Sequence, residues 1–133
     1  MKYVEAFNKL GYQLPAPRTD WTSEKVDGVC LTLWKSEVQW QPQPPSMDLF
    51  KMYEPGTNAW EKLPGHTKRT RHLSRAWDEF GGKVDVVLVA GIPGEGVTDA
   101  DPWLASQRNG YGWRLTKFDS DTGFFAVVAK KQN

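Results

Sequence analysis

The hydrophobic positions along this 133-residue chain change period several times, and each change marks an element. Tyr3, Val4, Phe7 and Leu10 recur at helical spacing. Glu5 and Lys9 form an i,i+4 pair on another face, and Gly11 follows as a stop. A short N-terminal helix is predicted there. Residues 13–27 are polar, hold two prolines and read as a loop.

From Val29 to Trp34 the period falls to two. Val29, Leu31 and Leu33 share one face and Cys30, Thr32 and Trp34 the other, so an interior strand is predicted, with a continuation towards Trp40. Pro42, Pro44 and Pro45 end it. A second strand is expected over residues 48–53, closed by the turn-like Glu54-Pro55-Gly56-Thr57. Leu73, Ala76, Trp77 and Phe80 then stand at i, i+3, i+4 and i+7, one apolar stripe of a helix over residues 67–80. Gly81 and Gly82 stop it. Residues 83–90 carry Val84, Val86, Val87, Leu88 and Val89, a run suited to a central strand covered on both sides. Residues 91–102 read as a Gly/Pro/Asp loop, and residues 103–107 as a helical turn. Residues 113–118 and 124–130 read as two strands joined through a loop ending in Gly123. The expected fold is α+β: a mostly antiparallel sheet of about five strands, one major helix (67–80) and a short N-terminal helix, in a single domain over residues 1–133.

Composition agrees with a globular chain: 39% hydrophobic, 25% charged and 13% aromatic residues. No apolar run approaches the ~20 residues needed to cross a bilayer, and residues 1–10 lack the long apolar run of a secretory signal. The one cysteine, Cys30, cannot form an internal disulfide, lies in an apolar run and reads as a buried thiol. A cytoplasmic protein without membrane contact is expected.

A net charge of +1 excludes a globally basic, histone-like binder, but the charge is unevenly placed. Residues 62–77 contain no Asp or Glu. They hold five of the 17 Lys and Arg residues, leaving twelve cations against 16 anions elsewhere, and both histidines, His66 and His72. At 100° per residue, Lys68, Arg71, His72 and Arg75 cluster on one helix face, roughly opposite the apolar stripe. Lys68, Arg69 and Arg71 also fall in the first turns, where cations oppose the helix dipole at about 0.3–1 kcal/mol each when exposed. A bound anion would relieve that penalty. Solvation, or pairing with acids such as Asp99 or Asp101, would do so equally.

Of the seven tryptophans, Trp34, Trp77 and Trp113 are expected in the core. Trp21, Trp40, Trp60 and Trp103 lie in or beside loops, where they could pin the loop or stack on a ligand. The glycine run Gly91-Ile92-Pro93-Gly94-Glu95-Gly96 follows a strand but lacks both the Lys-Ser/Thr of a P-loop and the context of a dinucleotide fingerprint. Asp99 and Asp101 with Glu95 could hold a divalent ion, though Asp-x-Asp is also ordinary loop chemistry. His66 and His72 have too few partner ligands for zinc, and Ser74 beside His72 makes no triad. No cofactor or metal is implied, and no nucleophile stands out.

The sequence therefore favours a binding domain over an enzyme. Its first partner is nucleic acid or another polyanion, contacted through Lys68, Arg69, Arg71, His72 and Arg75 with Trp40 and Trp60 stacking. A protein–protein module presenting exposed tryptophans is the second reading. A small enzyme using His66, His72 or Asp99/Asp101 is the third. The oligomeric state is not encoded legibly.

Overall fold

The computed structural model describes residues 1–132 of the chain. Its centre is a sheet of seven strands in an α+β fold, more strands than the five expected. They are β1 (Thr22–Lys25), β2 (Gly28–Trp34), β3 (Ser46–Asp48), β4 (Lys83–Ile92), β5 (Gly96–Pro102), β6 (Tyr111–Phe118) and β7 (Phe125–Lys131). The order is β1-β2-β4-β6-β7-β3, with β5 paired to β4 off this path. The β2–β4 ladder is parallel, with Leu31 opposite Val86; the other ladders are antiparallel. Among the described residues, no helix is long and apolar enough to cross a membrane.

Two helices cover opposite faces. The first, α1 (Tyr3–Lys9), ends before Gly11, whose φ of 89° suits the chain reversal. Ala6 and Phe7 pack with Tyr12, Cys30, Val87 and Val89. The major helix, α3 (Pro64–Glu79), lies on the other face. There Leu73 and Ala76 meet Leu31, Val86, Trp113 and Phe125. The two-faced reading of β2 and β4 follows directly: Val84, Val86 and Leu88 face α3, and Val87 and Val89 face α1. Each fully buried side chain of this kind contributes roughly 1.5–3 kcal/mol.

Several expectations are corrected. The major helix begins at Pro64, a residue suited to the first helical position because it lacks an N–H to satisfy. Trp77 is 41% exposed at the rim beside Phe118 and is not a core residue. Strand β2 stops at Trp34, followed by a single 3-10 turn, Lys35–Glu37. The expected strand over residues 48–53 is instead one helical turn, α2 (Leu49–Met52). The Asp48 carboxylate turns the chain there by accepting the Phe50 N–H at 2.9 Å.

Strands β1 and β5 lie in segments read as loops. In β1 the buried side chains are the hydroxyls of Thr22 and Ser23, so no apolar pattern announces it. In β5 the first four residues are exposed and the strand is held by its ladder to β4.

Candidate functional site

The buried face of α3 is part apolar and part cationic: Gly65, His66, Arg69, His72, Leu73 and Ala76. At 100° per residue Arg69 stands only about 20° round the helix from Ala76, so it belongs to the core arc. The basic face expected from the sequence is thereby divided, and most of it is occupied by protein partners.

Lys68 Nζ lies 2.7 Å from the buried Asp20 carboxylate. His72 Nδ1 is 2.7 Å from Thr22 Oγ1, and its Nε2 is 3.3 Å from Glu24. The simplest tautomer places the proton on Nε2, facing Glu24, so that Nδ1 accepts from the threonine hydroxyl. Burial holds the His72 imidazole below its ordinary pKa, with Glu24 opposing that shift. Arg75 Nε donates to Glu79 at 2.8 Å and Nη1 to Glu24 at 3.1 Å. Two carbonyls, Lys25 O and Val26 O, accept from Nη1 and Nη2 at 2.7 Å each. This fork ties α3 to the β1–β2 turn. Arg71 is exposed and makes no ion pair among the described residues.

Arg69 is different. It is only 9% exposed. Its guanidinium carbon lies 4.9 Å from the centre of Trp21, 5.0 Å from Phe125 and 5.6 Å from Trp60. Among the described residues it forms no ion pair with a carboxylate. Its Nε has no hydrogen-bond partner among the described residues, and Nη2 reaches only His66 Nδ1, at 3.4 Å. The aromatic faces stabilise the cation through their quadrupoles but offer no acceptor to its N–H edge. Burial lowers the guanidinium pKa to about 10, and the charge of Glu37 opposes that shift. Glu37 itself accepts the Tyr53 hydroxyl at 2.5 Å, the main reason the Tyr53 phenol is pushed up to about 12.

Each wall has an identifiable support. Trp60 rides on the single 3-10 turn Ala59–Lys62, whose approach is folded by Glu61. That carboxylate accepts the Gly56 N–H at 3.0 Å and the Asn58 N–H at 2.9 Å, which hold its pKa down. The Trp60 ring stacks on Phe124 at 5.8 Å and meets Tyr53 and His66 edge-on at 5.4 Å each. His66 Nε2 donates to Thr122 O at 2.9 Å, which leaves Nδ1 as the acceptor facing Arg69. Burial, then the Arg69 charge, lowers the His66 pKa. The β6–β7 loop approaches α3 this closely because residue 123 is glycine. Its φ is +76°, and a β-carbon there would lie 2.7 Å from His66 Cε1.

Of the residues chosen from sequence, the structure brings Arg69 and Trp60 together; His72 and Arg75 meet only through Glu24, and Lys68, Arg71 and Trp40 stand apart from the Arg69 cage. Trp40 is half-buried against the main core, its Nε1 donating to Lys35 O at 3.2 Å. Trp21, Phe125 and His66 complete the cage and were missed as its walls. Only the helical angle of Arg69 hinted at a buried cation needing aromatic neighbours.

The remaining candidates do not converge. Asp99 lies 2.6 Å from the Met1 amino group, and Asp101 lies 3.4 Å from Arg108. No group of three His, Cys, Asp or Glu residues is placed to hold a metal among the described residues. The glycine run forms the β4–β5 hairpin turn, where a β-carbon on Gly91 would strike Gly96 O. Compared with protein-family models, curated proteins and solved structures, the chain finds no match in any of the three.

Proposed function

We propose that this domain binds nucleic acid through unpaired nucleotides, with Arg69 meeting a phosphate oxyanion and Trp60 or Trp21 stacking on a base. The observation that carries the reading is the Arg69 guanidinium: desolvated, without a carboxylate partner, and set between indole rings. Burying an unpaired charge costs several kcal/mol in ordinary proteins. An oxyanion on the free N–H edge would offset that cost with charge-assisted hydrogen bonds. Base stacking on an indole adds about 1–3 kcal/mol per base and tolerates any sequence.

The near-neutral chain and the internal pairing of Lys68, His72 and Arg75 argue for few phosphate contacts. Titration of tryptophan fluorescence with a single-stranded oligonucleotide and its duplex tests this. The expected result is preference for the single strand, with a salt slope of about 0.7 per phosphate contacted. Absence of binding by either at low salt would overturn the reading.

A second reading, a protein-binding module, is favoured by a different observation. Trp77 is 41% exposed beside Phe118 at 6.4 Å, a large ring of the kind that anchors protein interfaces. Trp77→Ser separates the two readings, since it leaves oligonucleotide affinity unchanged under the first.

A further inference from the structure

We infer that the Arg69 cage takes a single terminal oxyanion, the phosphate monoester at the end of a nucleic-acid strand, and does not track internal backbone phosphates. The inference rests on the nucleic-acid reading above and sharpens which part of the strand is recognised.

The first argument is charge counting. One buried cation is left without a carboxylate, while its helical neighbours are engaged: Lys68 by Asp20, Arg75 by Glu24 and Glu79, and His72 by Thr22 and Glu24. A groove that follows a backbone needs cations in succession. This helix commits all of its neighbouring cations to the protein except Arg71, which is exposed about 200° round the helix from Arg69 and cannot line the same cage. One guanidinium matches one oxyanion.

The second argument is shape. Three rings surround the Arg69 guanidinium at 4.9–5.6 Å, and Trp21 and Trp60 both also lie close to His66. An internal phosphodiester carries a sugar on each side and would have to bring both between the rings. A monoester carries one substituent, and its remaining oxygens suit the planar fork of an arginine, which favours bidentate recognition.

The third argument is the hydrogen-bond deficit. Nε has no partner, and the one acceptor seen by Nη2 is the long contact to His66 at 3.4 Å. An oxyanion would supply the missing acceptors. Glu37 is the acid whose charge reaches Arg69, yet it makes no ion pair with it and is bonded to the Tyr53 hydroxyl. Trp60 rides on a 3-10 turn with no buried residue; under this inference the ligand enters by displacing that ring, which would change indole emission.

The test uses the full chain and three oligonucleotides of one sequence: 5′-phosphorylated, 3′-phosphorylated and unphosphorylated. A nucleoside monophosphate forms a fourth arm. Affinity is read by tryptophan fluorescence and calorimetry. The expected result is that one phosphorylated end binds about tenfold or more tighter than the unphosphorylated strand. Arg69→Lys, checked by near-UV circular dichroism, is expected to remove that advantage. Equal affinity for all three oligonucleotides would overturn the inference and leave the nucleic-acid reading standing. Binding by none overturns both. A nucleoside monophosphate that binds as tightly as the phosphorylated strand would keep a monoester site and overturn the nucleic-acid reading. The comparison within the unaltered protein decides the matter even if the lysine variant fails to fold.

Discussion

Gly65 lies directly against the indole of Trp21: a β-carbon at residue 65 would come within 2.5 Å of Trp21 Cε2 and of the Thr19 carbonyl oxygen. The first turn of α3 can therefore approach the Trp21 wall only because that residue lacks a side chain. Gly65→Ala would push the ring or the residue 19 backbone aside. Overpacking of this kind costs about 1–3 kcal/mol, which outweighs the helix-propensity gain of up to about 1 kcal/mol. Urea denaturation should show that net loss, together with weaker ligand binding.

Replacing Arg69 itself should have the opposite effect on stability. Arg69→Met keeps a long flexible side chain among Trp21, Trp60 and Phe125 and removes an unpaired buried charge. Thermal unfolding is expected to show a midpoint equal to or above that of the parent, while oligonucleotide binding is lost. A large drop in the midpoint would mean that the cation–ring contacts hold the fold, and the site would be structural.

The two arginines one turn apart on α3 should separate cleanly. Arg75→Glu breaks a fork with four acceptors and places a like charge beside Glu24 and Glu79, so the melting temperature falls. Arg71→Glu removes no ion pair among the described residues and leaves it nearly unchanged. Equal melting temperatures for the two variants would contradict the clamp.

Acid should weaken the fold before the carboxylates titrate. His66 and His72 both have folded pKa values below the ordinary 6.5, chiefly through burial. As pH falls through 6.5, the unfolded chain takes up protons that the folded histidines resist. Stability therefore declines with falling pH and levels off only below the folded values. Urea midpoints at pH 7.5 and 5.5 check this, and a flat profile would refute it. The double substitution His66→Gln with His72→Asn should reduce the slope.

Alkali acts through the phenols. Burial raises the pKa of Tyr3 and Tyr12, and the bond to Glu37 raises that of Tyr53 to about 12. Above pH 10 the unfolded chain releases phenolic protons that the folded one retains, so stability falls as pH rises. An absorbance titration of the phenolate band should show these three ionising late in the native protein and normally in denaturant.

What could be read from the chain was whatever apolar periodicity carries. Val29, Leu31, Val86, Val87 and Leu73 fall where the pattern places them, because removal from water decides their faces. The pattern fails where polar groups are buried. Thr22 disappears from it because its hydroxyl is satisfied by His72, and β1 was lost with it. The stripe Leu73, Ala76, Trp77 and Phe80 places Trp77 in the core, yet α3 turns it about 80° away from Arg69 to the rim. The site was legible only in its pieces. Arg69 and Trp60 stood out by type, but Trp21 and Phe125 join them through long-range packing that no local spacing encodes.

The parallel pairing of β2 with β4 has a kinetic consequence. The central ladder can close only after the chain from residue 35 to residue 82 has made its excursion, which includes β3, α2, the Trp60 turn and α3. Leu31 meets Val86 only by closing a loop of that length, and closing so long a loop carries an entropic cost that slows folding. The last amides to gain protection during refolding should therefore be those shared by β2 and β4. Arg69, His66 and Trp60 ride on that excursion while Trp21 and Phe125 stand on either side of it, so the cage around Arg69 would be assembled only as the excursion docks against the closing sheet.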